Sequence, residues 1–282
     1  MRIDLHTHTT ASDGLLSPEQ LVEKAQQAGV QVLAVCDHDS TEGVDAAAAA
    51  GKRSGVEVIP AVEINTDVDQ GEVHVLGYFL DHRQGWLQEF LRKLRDGRVN
   101  RARQMVEKLN TLGIKIDFAR VRELARGAIG RPHVAWAIVE AGAAKSVDEA
   151  FTRYIGRNGP AYVERLKVLP EEAVQVILRA GGIPVLAHPG WGFHEPLIPQ
   201  LVAAGLEGLE AYYPDHTPAM QAHFLSLANQ HTLLVTGGTD YHGEGFATKA
   251  AIGSQYVPPE VVEKLKERYA QKQKLGAGTQ PS

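Results

Sequence analysis

Met1-Arg-Ile-Asp-Leu-His6-Thr-His8 opens the chain and reads as a strand that ends in two imidazoles one residue apart. Successive side chains of a strand alternate faces, so His6 and His8 project side by side from one face. Two imidazoles on one face make half of a transition-metal site. Further along, other candidate ligands stand at the ends of short apolar runs: Asp13, His38 in Cys36-Asp-His-Asp39, and Glu63 in Ala61-Val-Glu-Ile64. His74 follows in Glu72-Val-His-Val-Leu-Gly77, and His188 in Val185-Leu-Ala-His-Pro-Gly190. Asp240 and His242 close the set in Gly237-Gly-Thr-Asp-Tyr-His242. Asp13 alone reads as a turn residue, His74 as a core histidine and His188 as a loop histidine. The pairs His6/His8 and Asp240/His242 frame the set at both chain ends, which makes joint innocence implausible.

Six histidines, two aspartates and one glutamate exceed what one ion needs. Two or three divalent ions are expected, with a carboxylate bridging at least one pair. Imidazole and carboxylate without thiolate suit Mn, Fe or Zn, and composition does not choose among them. Clusters of this kind generate hydroxide at neutral pH and clamp the oxygens of an in-line displacement, the chemistry of phosphoester hydrolysis.

Around these ligands the chain alternates strand and helix signals. Strands are expected at Arg2–His6, Val32–Cys36, Val56–Glu63, Glu72–Leu80, Ile183–Ala187, Leu206–Ala211 and Leu233–Thr236. Ser17-Pro18-Glu19 starts a helix with a cap and a proline at its first position. Further helices are expected near 42–53, 170–180, 195–204, 217–230 and 258–272. Repeated βα units with polar residues at strand ends describe a (β/α) barrel or a close variant.

The composition belongs to an ordinary globular protein, with 44% hydrophobic and 22% charged residues in 282. No apolar run approaches the roughly 18 residues of a membrane span. The chain enters a strand at once with no leader pattern, so a cytoplasmic enzyme with no obligate protein partner is expected. The lone Cys36 excludes an intramolecular disulfide and a Cys-rich metal cage, and reads as a small core residue. The formal charge of −5 hides an asymmetry: residues 83–131 carry ten Arg and three Lys against five acids, +8, so the remainder carries −13. A basic segment within an acidic protein points to an anionic ligand or, more blandly, to solvated helix faces.

That basic segment lies where strand signals vanish. The periodicity predicts an all-helical insertion over 85–155, placed as a cap over the site, inside a discontinuous barrel at 1–84 and 156–274. Residues 275–282 read as a frayed tail. In the helix from Gly85 to Leu112, Leu87, Leu91, Leu94, Met105, Leu109 and Leu112 fall in one stripe of about 60°. Arg98 and Arg101 fall inside it, whereas Arg92, Arg95 and Arg103 lie outside. An inward arginine needs an anionic partner, either a structural acid or a ligand phosphate gripped by its guanidinium fork. Arg131, in Gly130-Arg-Pro-His133, is a weaker third candidate, and His133 is noted for standing beside it.

Taken in register, Asp4-Leu-His-Thr-His8, Ser12-Asp-Gly14, Asp37-His-Asp39, Glu63, His74, Ala187-His-Pro189 and Thr239-Asp-Tyr-His242 resemble the PHP (polymerase and histidinol phosphatase) domain family. The resemblance runs over nearly the whole chain and implies a distorted (β/α)7 barrel binding three metals at the strand ends, with a suitable residue at all nine ligand positions. By the same resemblance His6, His8, Glu63 and Asp240 hold one ion and activate water; Glu63, His74 and His188 hold a second; Asp13, His38 and His242 hold a third. Mn2+ is the preferred ion, with Fe2+ and Zn2+ as alternatives. The helical insertion and Gly130-Arg-Pro-His133 further resemble the 3′,5′-nucleoside bisphosphate phosphatase branch, whose members remove the 3′-phosphate of adenosine 3′,5′-bisphosphate, some also trimming short RNA from the 5′ end. That likeness assigns Asp39, Arg98, Arg101 and Arg131, with His133 beside them, to the substrate. Pro132 departs from the branch, which more often has Thr or Ser there, so a hydroxyl contact is lost. The competing expectations are a histidinol-phosphate phosphatase, whose one phosphate and cationic amine fit three arginines poorly, and a non-hydrolytic nucleotide-binding or partner subunit.

Overall fold

The computed structural model describes residues 1–68, 71–125, 129–164, 168–190, 194–244 and 250–277. The chain forms two compact units, Met1–Gln88 with Lys167–Ser282, and Glu89–Leu166.

The first unit is an α/β fold around a seven-stranded sheet whose spatial order follows the sequence, β1 through β7. The strands are β1 (Arg2–Thr7), β2 (Val30–Val35), β3 (Glu57–Val68), β4 (Gly71–Tyr78), β5 (Ile183–Leu186), β6 (Gly208–Tyr212) and β7 (Leu234–Gly237). Pairing is parallel from β1 to β3 and from β5 to β7. β4 runs antiparallel to both β3 and β5, which departs from the expected series of βα units. Its cause is local: too few residues separate Val68 from Gly71 for a crossover, so β3 and β4 can only form a hairpin. β3 therefore extends five residues beyond the expected end at Glu63, through Asn65-Thr-Asp-Val68. Two isolated parallel bridges, Thr7 with Tyr241 and His38 with Glu63, carry the pairing past the strand ends.

Both faces of the strands are covered, which explains their near-continuous apolar character. Ile3 and Leu5 of β1 join Val32 and Ala34 of β2, Leu76 of β4 and Val185 of β5 in one core. Leu33 and Val35 face the opposite way, into a second core with Leu21 and Val22. Those last two belong to α1 (Pro18–Gln27), started by Ser17, whose hydroxyl accepts from Gln20 N. α2 (Val44–Ser54) follows β2. After the second unit come α7 (Pro170–Arg179), α8 (Ile198–Ala203), α9 (Pro218–Gln230) and α10 (Pro259–Ala277). Thus Leu275 to Ala277, expected in a frayed tail, continue α10, and residues 278–282 lie outside the described ones.

The second unit is all helical. Most of α3 (Gly85–Thr111) belongs to it, followed by α4 (Phe118–Ala125), α5 (Arg131–Glu140), α6 (Val147–Ala150) and a π turn at Phe151–Ile155. Met105, Leu109, Val121, Val134 and Ile138 anchor its own core, which also takes in Ile155, Ala161 and Val163. The apolar stripe of α3 is buried at Leu87, Leu91, Leu94, Met105 and Leu109, but Leu112 is 48% exposed because the helix ends at Thr111. Arg101 is buried and Arg98 half-buried, while Arg95 is half-buried rather than fully solvated. Among the described residues no helix is long and apolar enough to cross a membrane.

Candidate metal centre

The nine expected ligands all lie in the first unit: His6 near the end of β1, Glu63 and His74 within the hairpin strands β3 and β4, and the other six in the segments that follow β1, β2, β5 and β7. Glu63 is the hub. Its Oε2 is 3.2 Å from His6 Nε2, 3.3 Å from His8 Nε2 and 3.0 Å from His38 Nδ1. Its Oε1 is 2.8 Å from His74 Nδ1 and 3.2 Å from His188 Nε2. The hairpin register produces half of this arrangement: Asn65 pairs with His74, so Glu63, two residues along β3, shares their face. Asp240 Oδ1 adds a second carboxylate, 3.0 Å from His8 Nε2 and 3.4 Å from His6 Nε2. Asp13 stands 3.3 Å from His242 Nε2 and 3.8 Å from His38 Nε2. The rings of His8 and His242 stack with centroids 3.9 Å apart.

Ligand atoms close enough to share an ion fall into three sets: His6, His8, Glu63 and Asp240; His8, Asp13, His38 and His242; and His38, Glu63 and His74. His8 and His38 thus each belong to two sets, and His188 reaches the cluster through Glu63 Oε1. Both ring nitrogens of His8, His38 Nδ1 and Asp13 Oδ1 are buried without a hydrogen bond. They lie within a few ångströms of opposite charge yet out of line with it, as atoms aimed at a common point would be. This donor set fits divalent ions.

The electrostatics follow from that crowding. Burial pushes the Glu63 carboxyl up, but the imidazoles of His38, His6 and His74 hold it well below the usual range. Burial acts likewise on Asp13 and Asp240, again overridden by histidines, His38 and His242 for the first, His6 and His242 for the second. Burial would lower His6, but Glu210, Asp240 and Glu63 carry it well above its ordinary value. His74 shows the reverse outcome: burial outweighs Glu63 and its affinity for protons falls.

A ring of buried groups fixes the ligands from behind. Asp37 accepts from Thr9 N, Thr9 Oγ1 and Ser12 Oγ at 2.6–2.7 Å, pinning the loop that carries Asp13. Asp4 accepts from Thr239 N, Thr239 Oγ1 and Gly253 N at 2.6–2.9 Å, pinning the segment before Asp240. Gly238 is required there, since a Cβ would come within 2.4 Å of His6 N. Asp39, His188 and Asp240 adopt positive φ of 51°, 26° and 52°, backbone that non-glycine residues rarely take outside functional sites. Residues outside the expected set also reach the cluster: Asn65 Nδ2 is 2.9 Å from His74 Nε2, and the Tyr213 hydroxyl donates to Asp240 Oδ2 at 3.1 Å. Glu210, fully buried on β6, is another, and a charge inside an apolar strand is its signal in the sequence.

Asp39 is buried in the same unit; its N donates to Glu63 O at 2.9 Å and its Oδ1 accepts from Asn65 N at 3.0 Å. Arg98, Arg101, Arg131 and His133 belong to the helical unit. Arg101 Nε donates to Val163 O at 2.8 Å, with its guanidinium 5.5 Å from the centre of the Tyr162 ring. Arg131 lies over Phe151 at 5.4 Å, and His133 Nδ1 accepts from Gly130 N at 3.0 Å, closing the start of α5.

The PHP domain model matches residues 4–111. A 3′,5′-nucleoside bisphosphate phosphatase of Chromobacterium violaceum is 33% identical over 91% of this chain and 93% of its own. A phosphoribosyl 1,2-cyclic phosphate 1,2-diphosphodiesterase of Eggerthella lenta is 34% identical over 86% of this chain and 94% of its own. The 5′-3′ exoribonuclease Rnm of Salmonella typhimurium is 36% identical over 85% and 84%. A solved structure from Bifidobacterium adolescentis, described as a candidate metal-dependent phosphoesterase, superposes with a TM-score of 0.84 at 30% identity, over 94% of this chain and 96% of that one. The family model falls on the strands that carry His6 through His74, and likeness to whole relatives extends through the strands that carry His188 and Asp240: the chain belongs to the PHP domain family.

Proposed function

We propose that the protein is a divalent-metal phosphoesterase that removes the 3′-phosphate of nucleoside 3′,5′-bisphosphates, taking adenosine 3′,5′-bisphosphate to AMP and phosphate. Cleavage of short RNA from the 5′ end is a second activity of the same centre, in line with the exoribonuclease relatives. The observation that carries the reading is Glu63, one buried carboxylate with an oxygen turned toward each of two imidazole groups. Such a carboxylate holds two ions a fixed distance apart. Bound ions, Mn2+ foremost, would activate water and neutralise charge on the phosphate oxygens.

His6, His8, Glu63 and Asp240 would hold one ion, Glu63, His74 and His188 a second, and Asp13, His38 and His242 a third. Arg98, Arg101 and Arg131 supply guanidinium forks for the phosphate that is not cleaved, with Asp39 and His133 completing the substrate contacts. The seven strands are read as a distorted barrel, supported by the bridge from Thr7 at the end of β1 to Tyr241 beyond β7. A cytoplasmic setting goes with small nucleotide substrates.

Phosphate release should be measured with Mn2+ on adenosine 3′,5′-bisphosphate, phosphoribosyl 1,2-cyclic phosphate and histidinol phosphate, and release of mononucleotide on a 5′-phosphorylated RNA trimer. The bisphosphate should give the highest kcat/KM. Preference for either of the next two compounds would overturn the substrate assignment, and no turnover of any would overturn the hydrolase.

A further inference from the structure

Glu210 lies on β6 between Leu209 and Ala211, fully buried, yet it belongs to none of the three ligand sets. A carboxylate so placed is costly unless hydrogen-bonded. Its Oε1 is 3.0 Å from His6 Nδ1, and its Oε2 accepts from the His188 backbone N at 2.8 Å. We propose that Glu210 is a positioning residue that sets the tautomer of His6 and fixes the backbone of His188 together, so that both imidazoles present Nε2 toward Glu63. The proposal rests on the reading of this cluster as a metal centre.

An ionised carboxylate only accepts hydrogen bonds, so His6 Nδ1 must carry a proton toward Glu210. An ion that replaces the proton on Nε2, 3.2 Å from Glu63 Oε2, would then take its lone pair. On the other side, His188 has a φ of 26°, a conformation that needs an external hold, and the bond from its N–H to Glu210 supplies one. The two rings lie nearly parallel, 18° apart with centroids at 5.8 Å. Glu63 turns a separate oxygen to Nε2 of each ring, and Glu210 turns one oxygen to His6 Nδ1 and the other to the His188 backbone N.

Glutamine keeps the shape and breaks this logic. Two donors, His6 Nδ1–H and His188 N–H, meet Glu210, but an amide has one acceptor and one donor end. Turned one way it loses the His188 bond; turned the other it favours the Nε2–H tautomer of His6, which cannot bind metal.

The test is Mn2+ titration of metal-stripped wild type and Glu210→Gln in competition with a chelator, with folding checked by circular dichroism. The folded variant should bind Mn2+ about 10- to 100-fold more weakly. Wild-type affinity in a folded Glu210→Gln would overturn the proposal. If the wild type binds no Mn2+, the metal-centre reading itself fails and the proposal with it. Should the variant not fold, 15N-histidine spectra of Zn2+-loaded wild type decide. Metal on Nε2 and a proton on Nδ1 of His6 are expected, and the opposite assignment would overturn the role.

Discussion

The two units bury charge in opposite ways. In the α/β unit, short polar side chains at strand ends are packed together out of water, with carboxylates interleaved among six imidazoles. In the helical unit several ion pairs are on the surface: Arg120 meets Glu123 and Glu140, Arg92 meets Glu89 and Asp96, and Arg153 meets Glu149. Such exposed pairs are screened by water and contribute little to stability. Part of the positive charge of the helical stretch thus sits on solvated faces, at Arg92 and Arg120. Net charge located the unusual segment, and helical periodicity, not charge, picked out its inward arginines. Arg101, buried and bonded to the Val163 carbonyl, differs in kind from Arg92.

The largest break between the units should come from removing metal. A chelator should abolish turnover, Mn2+ should restore it, and elemental analysis of the restored enzyme should give more than one ion per chain; full activity with one ion or fewer would end the multinuclear reading. Next, Glu63→Gln keeps shape but removes the anion shared by five histidines, so kcat should fall on the order of 10³ with reduced metal content and a retained circular dichroism spectrum. Normal metal content and turnover would make Glu63 an ordinary buried carboxylate. A change confined to the other unit should do the converse. Leu109→Ala, in the core of the helical unit, should cost about 2–5 kcal/mol in denaturant unfolding while Mn2+ stoichiometry stays at wild type.

Arg98→Ala should lower kcat/KM for nucleoside bisphosphate about ten- to a hundredfold, since a hydrogen bond to a charged group contributes about 1.5–3 kcal/mol, and should leave an aryl phosphate nearly unaffected. Arg101→Ala also frees the Val163 carbonyl and should lower the melting temperature. Equal losses on both substrates would assign Arg98 a structural role. The smallest effect is expected from His82→Ala, which removes only an exposed contact to Asp45; a change beyond twofold in turnover would reveal a function for a histidine that has been assigned none.

What the sequence disclosed depended on whether the cause was local. Most candidate ligands were legible because they interrupt or end an apolar run, and strand alternation places His6 beside His8 without further information. The reversed direction of β4 was written in the few residues after Val68, where a crossover cannot fit, but was obscured by the βα pattern on either side. Glu210 was illegible as a partner of His6 because that contact joins residues more than two hundred positions apart. The inward stripe of α3 was read one residue too far at Leu112, since periodicity does not state where a helix stops.

Strand order along the sheet equals order along the chain, and this has a kinetic consequence. Every neighbouring pair can form early from nearby segments except β4 with β5, where Tyr78 must find Ile183 across the entire helical unit. Loop closure makes that ladder the entropically slowest to form. His38, Glu63 and His74 all precede the gap, so one ion-sized set is complete on the ribosome before β5 has been synthesised. His188, Asp240 and His242 arrive only afterwards, and the order in which the centre assembles is therefore built into the order of the chain.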